Sequence, residues 1–304
     1  MRYFSSLPDH KAPGFNERLH FEGFRHHNIV FNALARKSQC DSHVGCLSIK
    51  TVITGEETYE FNGLTKSVRP GQFLVLNNDQ EYSSRIESAA KVRTLSVFFT
   101  KHFASEILRD VSQSEEGALS MPFDGAVYSP EFFQTLYPVE GAIRDRLGKL
   151  VSDLEQEASY TNADEQLMFL LNDLLHIHHG AVKRSNNVKA IKPATRKEIY
   201  KRLCVAKDIL HSTFMSEVEL STVSKMASMS VPQLIRQFKA VFNATPHQYL
   251  TRIRLGHAAS LLKHSVQPVT DIALICGYQN TSAFCRSFKV AYGVAPLVFR
   301  AASN

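Results

Sequence analysis

The feature that most limits what this chain can fold into is a segment that occurs twice in its C-terminal part, fifty residues apart. Leu234-Ile235-Arg236-Gln237-Phe238-Lys239-Ala240-Val241-Phe242 aligns with Phe284-Cys285-Arg286-Ser287-Phe288-Lys289-Val290-Ala291-Tyr292, and the register continues beyond it. Asn243 falls on Gly293, the two residue types that best tolerate the left-handed conformation closing a helix. Pro246 falls on Pro296 and Tyr249 on Phe299. A match that keeps arginine, phenylalanine, lysine, helix terminator and proline in register describes one supersecondary unit used twice.

Each copy reads as a short helix, a turn and an amphipathic helix. In the second copy Pro268 starts a helix carrying Val269, Ile272 and Ala273, Gly277 supplies a tight turn, and Thr281 to Tyr292 form the next helix. With Phe284 and Phe288 inward, helical spacing puts Ser282, Cys285, Arg286 and Lys289 on the opposite face. The first copy turns Leu234 and Phe238 inward and Pro232, Ile235, Arg236 and Lys239 outward. It departs at the turn, where Ser228 takes the place of Gly277 and the connection is one residue shorter. Two more helices complete the region. Thr195-Arg196-Lys197-Glu198 is a capping-box pattern ahead of Ile199, Leu203, Ala206, Leu210 and Phe214, and Thr245-Pro246 opens a helix between the copies through Leu250, Ala258 and Leu262.

Charge divides along the same line. The whole chain carries +6, yet residues 181–304 hold 18 Lys and Arg against 5 Asp and Glu, and the first 180 residues are net −7. The basic part calls for an anionic partner, which charge alone does not identify.

The acidic part begins strand-like. Between about Asn28 and Thr100 apolar residues mostly alternate with polar ones, and Asn62-Gly63 is a strong hairpin signal because both residues tolerate positive φ. About seven short strands there predict a small barrel or sandwich. Beyond Thr100 the period becomes helical: Ile143, Leu147, Leu150 and Leu154 form one stripe, and Leu167, Leu170, Leu171, Leu174 and Leu175 a second. Gly180 is expected to end that helix, and 181–194, polar and aperiodic, to link two domains, 1–180 and 195–304. Five scattered cysteines in 304 residues make no disulfide framework, and no window approaches the length of a membrane span, so a cytoplasmic protein is expected.

Residues 195–302 resemble the DNA-binding domain of AraC/XylS-type transcriptional regulators. The resemblance is carried by Asp271-Ile272-Ala273-Leu274-Ile275-Cys276-Gly277-Tyr278, then Phe284, Arg286, Phe288, Lys289, Gly293, Pro296 and Phe299-Arg300. It implies a seven-helix domain with two helix-turn-helix units, whose second helices enter successive major-groove segments of duplex DNA. It also implies that the N-terminal part is a cupin-like domain that binds an effector or dimerises, and that RNA polymerase is a partner. The fold class expected is therefore α+β in two domains, a cupin-like β-barrel with a helix pair and an all-α domain.

On this basis the candidate DNA contacts are Pro232, Gln233, Arg236 and Lys239 in the first copy, and Thr281, Ser282, Cys285, Arg286 and Lys289 in the second. Arginine reads guanine through two hydrogen bonds, serine and threonine serve several bases, and lysines fix position on phosphates. The candidate effector contacts, at a barrel mouth, are Lys50, Tyr59, Tyr82 and Arg85. No cofactor or metal is expected: Asn77-Asn78-Asp79-Gln80-Glu81-Tyr82 has no histidine where a metal cupin needs one, and His176-x-His178-His179 reads as a helix end. The chain is thus expected to be a homodimeric, effector-controlled transcription activator and not an enzyme. The alternatives are a cupin enzyme with a DNA-targeting module and a regulator controlled by a partner protein.

Overall fold

The structure, a computed structural model, describes residues 1–10, 12–113, 131–155 and 163–302. It divides into two compact units, Met1–Ala181 and Val182–Asn304.

The first unit is built on one eight-stranded sheet of β1 (Arg2–Phe4), β2 (Ile29–Val44), β3 (Ser48–Thr54), β4 (Glu57–Phe61), β5 (Leu64–Val68), β6 (Gln72–Leu76), β7 (Glu81–Phe98) and β8 (Leu136–Pro138). The main path runs β1-β2-β7-β3-β6-β8, with β4 pairing β5 and β7. Between Asn28 and Thr100 there are six strands rather than seven, because β2 and β7 are 16 and 18 residues long. Both lengths survive because irregular pairings at Ala35/Lys37 and Cys40/His43 let the pair bend. The β4–β5 hairpin turns as its Asn-Gly requires, with Asn62 at φ 52° and Gly63 at φ 69°.

Alternation along these strands separates two cores. Val30, Ile49, Phe73 and Val97 pack with the helical stripes, whereas Val52, Tyr59, Phe61, Val68, Leu74, Tyr82, Ile86 and Val92 share a second core inside the sheet. Six strands, β3 to β8, contribute to that inner core, β8 through Leu136, so the sheet wraps on itself. Its ladders stay open among the described residues, since β5 pairs only with β4 and β8 only with β6.

Among the described residues four helices accompany the sheet: α1 (Glu17–His26), α2 (Lys101–Gln113), α3 (Gly141–Glu155) and α4 (Ala163–Ser185). Every leucine and isoleucine of the two predicted stripes on α3 and α4 is buried. Gly180 does not end α4, which runs on to Ser185. Gly180 is not at positive φ and Ala181 behind it is fully buried, so burial of the next turn outweighs the roughly 1 kcal/mol that a helical glycine costs.

The second unit contains α5 (Pro193–Thr213), α6 (Leu220–Met226), α7 (Val231–Phe242), α8 (Pro246–His264), α9 (Val269–Ile275), α10 (Thr281–Tyr292) and α11 (Pro296–Ala301). α5 starts two residues before the predicted capping box, from an extended Lys192 with Pro193 in the first turn, where its missing N–H costs nothing. A capping box opens α8 instead: Gln248 N–H donates to Thr245 Oγ1 at 3.3 Å and Thr245 N–H to Gln248 Oε1 at 2.9 Å. The predicted linker is not an aperiodic tether. Residues 181–185 are helical, 193 and 194 belong to α5, and Val188 between them is buried.

Candidate nucleic-acid interface

The repeat is a repeat of backbone conformation. α6 and α9 have seven residues each, α7 and α10 twelve each. The turn after the short helix is made by Ser228 at φ 51° and Gly277 at φ 74°. Met229 N–H donates to Ser224 O and Tyr278 N–H to Ala273 O, both at 2.9 Å. The long helices end alike, on Asn243 at φ 54° and Gly293 at φ 78°, each donating its N–H to a lysine carbonyl one turn back, Lys239 or Lys289.

Side-chain caps set where the long helices start. Ser230 Oγ accepts from Gln233 N–H at 3.4 Å, and Asn280 Oδ1 from Ser282 N–H at 2.8 Å and Ala283 N–H at 3.3 Å. Leu234 and Phe238 on α7, and Phe284 and Phe288 on α10, are fully buried. Fixing those anchors turns the opposite faces outward.

Pro232, Arg236 and Lys239 on α7, and Ser282, Arg286 and Lys289 on α10, are exposed. Gln233 and Thr281 are half-buried. Cys285 is also half-buried and packs on the core of its own copy, so it offers less surface than its helical position suggested. Among the described residues no carboxylate lies within 4.0 Å of Arg236, Lys239, Arg286 or Lys289. The two faces therefore present cations without internal counter-ions.

Sequence reasoning missed Gln237. It is 3% exposed on the inner side of α7 and hydrogen-bonds the backbone of Lys189, ahead of α5. Its place beside Phe238 signalled burial, but nothing in the repeat pointed to its partner.

The four candidate effector residues do not share one place. Lys50, Tyr59 and Tyr82 are buried, whereas Arg85 is exposed, pairs with Glu87 and lines an open groove of about 790 Å³ together with Asp41, Glu60, Glu81 and Ser84. The register explains the split. Tyr82 and Ile86 point to the inner core and Arg85, one residue out of phase, points away.

Inside the sheet, Lys50 Nζ sits 3.5 Å from the Phe98 ring centroid, 5.3 Å from that of Tyr82 and 6.0 Å from that of Tyr59. Burial lowers its pKa to about 8, against the pull of the Glu57 carboxylate. The pKa of Glu57, 6% exposed, is raised by burial, and among the described residues its Oε2 has no hydrogen-bond partner; nor have Ser48 Oγ and Thr94 Oγ1. Glu57 was missed although it alternates with Tyr59 and Phe61 on one face of β4. Cys46 is pushed up to about 11 by burial, which keeps it a thiol, and His178 lies against Phe132 and Phe133. Among the described residues no helix is long and apolar enough to cross a membrane.

A family model described as a helix-turn-helix domain matches residues 223–302. The chain is 38% identical over 87 residues to the HTH-type transcriptional activator RhaS of Escherichia coli O139:H28 (strain E24377A / ETEC), covering 29% of this chain and 31% of that protein. It is 36% identical over 100 residues to an uncharacterized HTH-type transcriptional regulator of Haemophilus influenzae, covering 33% and 34%. The match thus spans about a third of the length of these relatives. Among solved structures, the C-terminal domain of AraT, a response regulator from Geobacillus stearothermophilus, is similar at 28% identity and a TM-score of 0.32, over 33% of this chain and 84% of that one.

Proposed function

Residues 223–302 are a helix-turn-helix domain of the AraC/XylS type, and from that premise we propose that the protein is a sequence-specific transcription regulator that reads duplex DNA with two helix-turn-helix units. The observation that carries this reading is the pair of exposed basic faces on α7 and α10, capped and anchored alike. Arg236 and Arg286 read base edges, helped by Pro232, Gln233, Thr281, Ser282 and the partly covered Cys285. Lys239 and Lys289 hold phosphates, and the two helices engage major-groove segments about one helical turn, roughly 34 Å, apart.

The N-terminal unit, in this reading, senses a small molecule. Glu57, Ser48 and Thr94 support it, because buried polar atoms that find no partner among the described residues require water or a ligand. The protein acts as a homodimeric cytoplasmic activator that contacts RNA polymerase, as the resemblance implies, and it performs no catalysis. Incubating the purified protein with random-sequence DNA at moderate salt tests the central claim. Recovery of one enriched sequence is expected, and equal binding to all sequences would refute it.

A further inference from the structure

The two copies differ in what holds the reading helix from behind. Gln237 Oε1 accepts from Lys189 N–H at 3.0 Å, and Gln237 Nε2 donates to Lys189 O at 3.2 Å. One side-chain amide thus satisfies both polar groups of one backbone residue, a geometry that fixes which end of the amide is which. Gln237 is 3% exposed beside Leu234 and Phe238, and Val188 next to the clasped residue is also 3% exposed. The same segment is gripped from its other side, where Arg196 Nη1 donates to Ala190 O at 3.2 Å and Ile191 O at 2.8 Å. In the second copy Ser287 stands where Gln237 stands, and its short side chain ends in one oxygen where the amide has a separate donor and acceptor.

Lys189 lies four residues after the end of α4, on the one stretch of chain through which any covalent pull from the first unit reaches the second. We infer that Gln237 is a positioning residue through which the entry segment 186–191 sets the orientation of α7, so that control of DNA reading is delivered to the first helix-turn-helix unit and not to the second. This rests on the DNA-reading role proposed above. A leucine at this inward site would pack with its apolar neighbours and give the exposed Lys189's backbone groups up to water, which lets the segment leave α7. The clasp makes the segment and α7 one body.

The test uses the full chain bound to a fragment it selects from random DNA, mapped by hydroxyl-radical footprinting. Arg236→Ala and Arg286→Ala assign the two protected patches to α7 and α10. Gln237→Met, nearly isosteric but unable to form either bond, is expected to lower occupancy of the α7 patch about tenfold and to leave the α10 patch protected. Lys189→Pro removes the donor from the other side and leaves the carbonyl, so the double variant is expected to lose no more than Gln237→Met alone. Equal loss from both patches, or additive losses in the double variant, would overturn the inference, as would an unchanged footprint. A wild-type chain that selects no sequence would instead remove the DNA-reading role on which the inference rests.

Discussion

The first and second copies of the repeat reach the same backbone by different means. At the turn after the short helix the first copy uses Ser228 and the second Gly277, both left-handed. A Cβ on Gly277 would stand 2.7 Å from Phe214 O and 2.9 Å from Arg254 Nη2, while Ser228 is exposed and its carbonyl accepts from Arg202 Nη1 at 3.0 Å. The second turn is hemmed in and the first is open. Conformation is what the repeat preserves, and packing decides which residue can supply it.

Exchanging the two residues breaks that comparison most sharply. Gly277→Ala combines left-handed strain with a collision against a carbonyl and is expected to cost about 2–4 kcal/mol in denaturant unfolding. Ser228→Gly relieves strain in open space and is expected to change stability by no more than about 1 kcal/mol. Similar losses in both would show that the turns are equally confined.

The next effect is on binding. Arg286→Ala is expected to cost about 1–3 kcal/mol on the selected sequence and to relax its base preference. Lys289→Ala should instead weaken selected and random DNA alike and make the salt dependence shallower. Fluorescence anisotropy on both DNAs at two salt concentrations separates them, and parallel losses for both variants would abolish the division between reading and holding.

The smallest effect distinguishes the copies by pH. Tyr249 of the first copy hydrogen-bonds His211 Nε2 at 3.1 Å, whereas its counterpart in the second is Phe299. Burial, then the charge of Lys207, lowers His211 from 6.5 to about 4, with Asp208 opposing. Above pH 6.5 neither the folded nor the unfolded chain protonates this ring. Between 6.5 and about 4 the unfolded chain gains a proton that the folded chain refuses, so stability falls as pH drops through that window. Amide exchange in α7 is expected to accelerate before exchange in α10, and His211→Gln should flatten the difference.

The second unit was more legible in the sequence than the first because its physics is local. A period of 3.6, terminators at Asn243 and Gly293 and prolines at Pro246 and Pro296 are readable within a dozen residues, and α7 and α10 end, and α8 and α11 begin, where they put them. The inner core of the first unit depends on which distant strands meet. Lys50 pairs with both Leu74 and Ser96, and no spacing in sequence reveals that Phe98 and Glu57 share its surroundings. For the same reason Gln237 was invisible as a clasp, its partner being 48 residues away. The end of α4 was misread because glycine signals a stop only where the following residues have nothing to bury, and Ala181 has.

The central claim is that the two copies read one face of DNA together, and phasing tests it most directly. The selected fragment is lengthened by about 5 base pairs, half a helical turn, between the patches assigned to α7 and α10. Joint reading predicts that affinity falls at least about tenfold and that only one patch remains protected, because the second unit now faces the wrong side of the duplex. Unchanged affinity with both patches still protected would contradict the account.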